Sequence, residues 1–362
     1  MIAVEMAGGA FVALDPGAPR ARLQAIVADT RATITICHSS CLKSVQDIDI
    51  DIIPIDQTII EALNDAEQPL SSDATATNSS FLVFTSGSTG VPKGIVVEHQ
   101  TISSLSDEYG AVQGIQYGTR VFAYSAYTFD VGIIDVLVSL SRGACLCIPS
   151  EHERYNDISG AINRTQANWA FLTPSVAALL SPGDVPSLKD LALGGEALTK
   201  KVVDQWKDHV SLYGNYGPAE SSICAWNPHV SSSGKATNLG TPLLSAFWVV
   251  SPNNVRQMMP VGCVGELVIQ GHLLARGYLN ATVEAAGAWI ENADWFPGDV
   301  SRRAYRTGDL VRRNEDGTFD YLGRRDNQVK LHGQRIELGA ELALRAQQPR
   351  DATVKPVNAR GN

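Results

Sequence analysis

Residues Phe81 to His99 read FLVFTSGSTGVPKGIVVEH, an apolar β-type run that breaks into small hydroxyl and glycine residues and then reaches a lysine. Phe81 to Phe84 is expected as a buried strand. Thr85, Ser86, Gly87, Ser88, Thr89 and Gly90 follow, offering hydroxyls and unobstructed backbone N–H groups, which a polyphosphate needs for close approach. Pro92 stiffens the exit, and Lys93 supplies a point charge. The stretch is not a P-loop, because Gly90 is followed by Val91 and Lys93 by Gly94, where that pattern requires Gly-Lys-Ser/Thr. Taken alone, such a loop is more often a flexible turn than a phosphate cradle.

The chain has 362 residues, too many for one ordinary core, so two or three subdomains are expected. A formal charge of -9 without a basic stripe argues against nucleic acid as a partner. The short basic pairs Arg302-Arg303 and Arg324-Arg325 read as solvated surface. The six cysteines lack paired C-x-x-C spacing, so neither a zinc site nor a disulfide framework is indicated; they are expected reduced and mostly buried. No apolar stretch approaches the roughly 20 residues of a membrane span, and the N-terminus lacks a signal-peptide layout. A cytoplasmic location, with no membrane partner, is expected.

Outward from the loop, the chain alternates strands with helices, which implies a mostly parallel sheet. Gly8 to Pro16 reads as a strand and Pro19 to Thr30 as a helix. Ala32 to Cys37 and Ile52 to Ile55 add short β runs, and the polar stretch Asn64 to Ser80 reads as a surface linker. Beyond the loop, strands are expected at Val121 to Tyr124, Ala144 to Ile148, Trp169 to Leu172, Leu191 to Leu193 and Val210 to Tyr213. Helices are expected at Val131 to Leu140 and Ala161 to Gln166. From about Gly240 the texture becomes β-structure with turns, including a hairpin that joins Asp309–Arg312 to Thr318–Tyr321.

Asn215-Tyr216-Gly217-Pro218-Ala219-Glu220 sets an aromatic ring, a tight turn and a carboxylate side by side. It also reads simply as a turn beside a partly buried ring. Leu193-Gly194-Gly195-Glu196-Ala197-Leu198 reads as the end of a strand opening a helix. Tyr305-Arg306-Thr307-Gly308-Asp309 reads as a strand entry carrying a carboxylate.

In order and spacing these motifs resemble the adenylate-forming enzymes, whose T-S-G-[ST]-T-G-x-P-K-G loop is matched at every position from Thr85 to Gly94. The chain is similar more narrowly to the adenylation domain of a nonribosomal peptide synthetase, of fungal type from its F-V-A-L-D-P and L-A-L-G-G-E-A-L wording. The resemblance implies an α/β fold with a large adenylate-forming core at residues 1–322, α/β through 240 and β-rich from 241 to 322. It places a hinge at 323–342, with Asp326 as its pivot, and leaves 343–362 as a disordered tail. It implies ATP and Mg²⁺, with the Thr85–Gly90 loop, Lys93 and Thr89 acting on phosphates and Glu220 holding the metal. Gly194, Gly195, Asn215 and Tyr216 would border adenine, and Asp309 and Arg324 the ribose. Ala219 departs from the family's usual hydroxyl residue, and Gly265 to Tyr278 is treated as structural.

The resemblance also implies an amino-acid substrate. Asp130, by default a helix N-cap, is the position that pairs with the substrate α-ammonium in the family. The pocket positions carried over are Asp130, Val131, Ile134, Phe171, Ala192, Gly194, Asn215, Ile223 and Cys224. This wall holds no second charge, so a hydrophobic amino acid is expected. The expected partner is a phosphopantetheine-bearing carrier (thiolation) domain outside this chain. Measured against the family pattern both ends are short: part of the large domain and nearly all of the small domain, with its lysine, are missing, which would leave an open sheet edge and exposed apolar surface. Two further readings therefore stand, a non-catalytic remnant that at most binds nucleotide, and an acyl- or aryl-CoA ligase, against which Asp130 argues.

Overall fold

The computed structural model describes residues 1–63, 72–85, 92–230, 235–280, 287–296, 303–326, 328–331 and 334–337. Three sheets organise them. The largest has seven strands in the order Cys145–Cys147, Arg120–Phe122, Trp169–Leu172, Asp190–Leu193, Ser211–Tyr216, Ala225–Asn227 and Thr241–Pro242. The first five are parallel and the last two join antiparallel. The sheet is thus mixed, with the parallel part where the strand–helix alternation predicts it.

In chain order the parallel strands run 2-1-3-4-5, so the order reverses between Arg120–Phe122 and Trp169–Leu172. Crevices at such a reversal, outside the carboxyl ends of the strands, are where open α/β sheets take ligands. The central strands Trp169–Leu172 and Asp190–Leu193 are apolar along most of their length because both faces are covered. Trp169, Phe171 and Ala192 enter one buried cluster, while Ala170, Leu172, Leu191 and Leu193 enter the cluster on the opposite face.

The helix Asp130–Ser141 lies between two sheets. Its Ile134 and Val138 pack on the large sheet, and its Ile133 and Leu137 pack on Phe81, Val83, Ile95 and Val97. A helix apolar around most of its circumference is a buried one. The second sheet has the order Phe11–Val12, Ser79–Thr85, Lys93–Glu98 and Gly277–Tyr278. Ser79 and Ser80 therefore belong to a strand rather than to the end of a linker, and Ser80 is fully buried, donating to the Glu5 carboxylate. The strand expected from Gly8 to Pro16 is reduced to Phe11–Val12.

The third sheet is antiparallel: Asn254–Met258, Ser245–Ser251, Val264–Gly271, Arg303–Arg313 and Trp289–Glu291, with Phe319–Arg324 paired to Arg303–Arg313 as the expected hairpin. Near the N-terminus a parallel pair, Ile34–His38 with Asp51–Ile55, packs on the helix Arg20–Thr30 through Cys37 and Ile52. Its outer face leaves Ile34, Ile36 and Ile53 exposed.

Three surface expectations are corrected. Of the six cysteines, all free, only Cys147 and Cys224 are buried. Arg324 and Arg325 are not simply solvated, since both pair with carboxylates. Arg303 stacks 3.9 Å from the Trp289 ring centroid, and Arg302 lies outside the described residues. No helix among the described residues is long and apolar enough to cross a membrane.

Candidate active site

The strand Ser211–Tyr216 carries Asn215 and Tyr216 to its carboxyl end, where a cleft of about 320 Å³ opens. Gly195, Asn215, Tyr216, Asp309 and Arg324 all line it, together with Tyr321 and Gln328. Residues separated by over a hundred positions in sequence thus meet in one concavity.

At its centre Tyr216 donates its hydroxyl to Asp309 Oδ2, and Arg324 Nη1 donates to Asp309 Oδ1 at 3.0 Å. Arg324 also donates from Nη1 to the Thr307 carbonyl at 2.7 Å, and its Nε and Nη2 grip both oxygens of Asp326 at 2.9 and 2.6 Å. The planar guanidinium fork matches a carboxylate in this way, and an ammonium would not. Thr307 fixes the strand beneath: its hydroxyl donates to the Leu267 carbonyl at 2.8 Å and accepts the Asp309 N–H at 3.0 Å. Gly308 has φ +75°, and a Cβ there would sit 2.8 Å from Arg324 Nη2. Glycine is required for both reasons. Burial, and then the Asp309 carboxylate beside it, hold the Tyr216 phenol well above the ordinary tyrosine range, and the same causes push Tyr321 up to about 12. The Tyr216 ring meets Phe247 edge-on, with centroids 6.4 Å apart.

Gly194 continues the strand Asp190–Leu193 toward the cleft. A Cβ at Gly194 would lie 2.6 Å from the Phe171 ring and 2.9 Å from the Asn215 carbonyl oxygen. The helix expected at Gly194–Leu198 begins later, at Lys200, where the Thr199 side chain caps it. Glu196 accepts instead from the Ser175 backbone N–H at 3.0 Å and from the Ser175 hydroxyl.

Thr85 and Lys93 are paired across their antiparallel strands, which holds the two ends of the intervening loop together. Ser86, Gly87, Ser88, Thr89 and Gly90 lie outside the described residues. Lys93 Nζ stands 5.8 Å from the Tyr278 ring centroid, and Tyr278 donates its hydroxyl to Glu220 Oε1 at 2.7 Å. Burial and the Glu220 carboxylate raise the Tyr278 phenol. Glu220 itself is 1% exposed. Neither Lys93 nor Glu220 lines the cleft around Tyr216. No local pattern foretells this contact, since Tyr278 and Glu220 are 58 residues apart.

The carried-over pocket positions also converge. Ile134, Phe171, Ala192, Ile223 and Cys224 share one buried cluster, against which Val131 and Tyr216 pack. Asp130 is the first residue of its helix rather than the N-cap, which is Phe129, and its Oδ1 accepts the Val131 N–H at 2.9 Å. Asp326 sits just past the strand Phe319–Arg324, in the grip of Arg324.

The chain belongs to the AMP-binding enzyme family, whose profile matches residues 1–279. It is 42% identical over 359 residues to nonribosomal peptide synthetase atnA of Emericella nidulans, covering 98% of this chain and 5% of that one. It is 44% identical over 347 residues to nonribosomal peptide synthetase 1 of Aspergillus fumigatus, covering 94% of this chain and 6% of the relative. The chain thus spans about a twentieth of the length of these curated relatives. Among solved structures, holo-PA1221, a nonribosomal peptide synthetase protein with adenylation and carrier domains, superposes with TM-score 0.82 at 23% identity, covering 96% of this chain and 60% of that one. The Vibrio cholerae adenylation domain AlmE, solved with glycyl-adenosine-5'-phosphate, gives TM-score 0.77 at 23% identity, covering 95% of this chain and 71% of that one. Both carry the same fold.

Proposed function

We propose that this chain activates the carboxylate of an amino acid with ATP, giving an aminoacyl-adenylate and pyrophosphate, as one adenylation unit of a nonribosomal peptide synthetase. A carboxylate oxygen attacks the α-phosphorus; the new O–P bond forms as the bond to the bridging oxygen breaks, and pyrophosphate leaves. The observation that carries this reading is the junction of the Tyr216–Asp309–Arg324 cleft with the apolar cluster of Ile134, Phe171, Ala192, Ile223 and Cys224. Tyr216 is shared between them.

In this assignment Tyr216 stacks on adenine, and Asp309 accepts the ribose hydroxyls with two oxygens suited to two donors. Arg324 approaches the ribose, while Gly194 and Gly195 leave room for the base. Lys93 and the Thr85–Gly90 loop, including Thr89, cradle the phosphates. Catalysis is then mainly positioning and charge neutralisation, and no side chain needs to act as a covalent nucleophile. Asp130 pairs with the substrate ammonium, and the apolar wall selects a hydrophobic side chain, because a buried charge without a partner there would cost several kcal/mol.

Glu220 fits a single-carboxylate contact to a hard cation such as Mg²⁺, which otherwise takes phosphate and water oxygens. Among the described residues no group of three potential ligands gathers to build a protein cage. Bound there, Mg²⁺ would neutralise charge developing on the phosphates. We assign residues 1–322 to the large core and 323–342 to the hinge and the start of the small domain. We place the protein in the cytoplasm and its carrier-domain partner outside this chain.

The test is ATP–pyrophosphate exchange with each amino acid and with matched carboxylic acids lacking the amino group. Exchange with a hydrophobic amino acid, and none with its des-amino analogue, is expected. A preference for the des-amino acid would instead identify an acyl- or aryl-activating ligase, and ATP binding without exchange on any acid would identify a non-catalytic remnant.

A further inference from the structure

Behind the apolar cluster a buried polar network reaches Asn215 from two residues outside the motif positions. The helical run from His99 to Val112 is interrupted by a π-helical segment, Leu105–Tyr109. Such segments shift the register of every later side chain and recur at functional sites. Tyr109, at the end of this one, is 1% exposed and belongs to the cluster that holds Ile134, Phe171 and Ala192. One turn on, Gln113 is fully buried. Its Nε2 donates to Asn215 Oδ1 at 3.0 Å, and Asn215 Nδ2 donates to the Tyr109 hydroxyl at 3.4 Å.

Both ends of the Asn215 amide are therefore held by side chains from a different layer of the fold. Asn215 is the amide among the wall positions, and its backbone carbonyl is one of the atoms, with the Phe171 ring, that a Cβ at Gly194 would strike. A side-chain amide presents a donor on one side and an acceptor on the other, so fixing its rotation fixes what a neighbouring ligand meets. Buried polar atoms left unpaired are costly, which makes such networks settle into one arrangement. Gln113 Oε1 is a buried atom with no hydrogen-bond partner among the described residues, and so is Oδ2 of Asp135, a 4% exposed carboxyl on the pocket helix. Burial raises the Asp135 carboxyl, which lies near Tyr109, well above its ordinary range.

We infer that Gln113 and Tyr109 are positioning residues for amino-acid selection, acting through Asn215: they lock its amide and thereby set which neutral side chains the pocket accepts. This inference rests on the amino-acid adenylation proposed above. Neither residue touches the nucleotide cleft.

The test is ATP–pyrophosphate exchange over the full amino-acid panel, paired with titration of non-hydrolysable aminoacyl-sulfamoyl-adenosines. Both are run on the full chain and on Gln113→Met, Tyr109→Phe, Asn215→Ala and the two double variants that combine Asn215→Ala with each of the others. Tyr109→Phe removes only a hydroxyl and guards against misfolding. Loss of one hydrogen bond corresponds to about a three- to tenfold change in affinity. The expected result is a change of that size in KM and selectivity for the amino acid, with a clearly smaller change in KM for ATP and the effect abolished in the Asn215→Ala background. Unchanged selectivity, or an equal shift in the ATP and amino-acid constants, overturns the inference and leaves the adenylation reading standing. Silence of the unmodified chain toward every amino acid and every analogue overturns the adenylation reading, and the inference falls with it.

Discussion

Asp309 meets Tyr216 and Arg324 with separate oxygens, so the groups that a ribose would address are already aligned by protein donors. Asp309→Asn keeps the shape and removes the charge. Calorimetric titration with AMP is expected to show affinity lower by about tenfold or more, because charge-assisted hydrogen bonds are roughly twice as strong as neutral ones. Arg324→Lys should lower stability by about 1–3 kcal/mol in chemical denaturation, since a point ammonium cannot replace a fork shared by Asp309, Thr307 and Asp326. At this scale the family motifs pointed to Tyr216, Asp309 and Arg324, which line one cleft, although Arg324 read by itself as solvated surface. Tyr109 and Gln113 were not legible, because each acts on Asn215, about a hundred positions away in the chain, and neither sits in a pattern that marks it.

The elements show why the pocket forms where it does. Alternation along Trp169–Leu172 and Asp190–Leu193 sends Phe171 and Ala192 to the face covered by the helix Asp130–Ser141. Gly194 follows Ala192 by two positions, and only the missing side chain lets the Phe171 ring and the Asn215 backbone close over it. Gly194→Ala is expected to lose about 1–3 kcal/mol through overpacking, measured by thermal or urea unfolding. Amino-acid-dependent exchange should fall further than AMP binding does. Apolar runs and their order predicted these strands and the helix within a few residues. The late start of the helix at Lys200 was not predicted, because Thr199 outcompetes the glycine-rich segment as a cap.

Across the whole molecule, two buried carboxyls give the stability profile opposing slopes. Burial alone raises Asp320, but hydrogen bonds from Lys235, Asn314 and Asn238 outweigh it and leave the group below its ordinary range. Its contribution is present above the unfolded value near 3.9 and is lost as pH falls through the folded one. Asp135 is raised by burial. Its unfolded form releases a proton above about pH 4 while the folded form does not, so stability falls as pH rises from there. Asp135→Asn is therefore expected to gain more in melting temperature at pH 8 than at pH 5, and Asp320→Asn to flatten the acid limb. Equal gains at both pH values would show that Asp135 is ionised in the fold. The strand order with its reversal was not read in the sequence, whereas the parallel strands of the large sheet and the β-rich third sheet follow the alternation and the turn signals there. The sharing of strands among sheets does not, since Gly277–Tyr278 pairs with Lys93–Glu98 across a long separation.

The proposal that the acid activated here is an amino acid rests on the Tyr216–Asp309–Arg324 cleft and the Asp130 helix. Mass spectrometry of the adenylates formed from ATP and an equimolar mixture of amino acids and simple carboxylic acids tests it most directly. The account predicts an aminoacyl-AMP bearing a hydrophobic side chain, lost in Asp130→Ala. An acyl- or aryl-AMP as the sole product, or no adenylate from a chain that binds AMP, would contradict it.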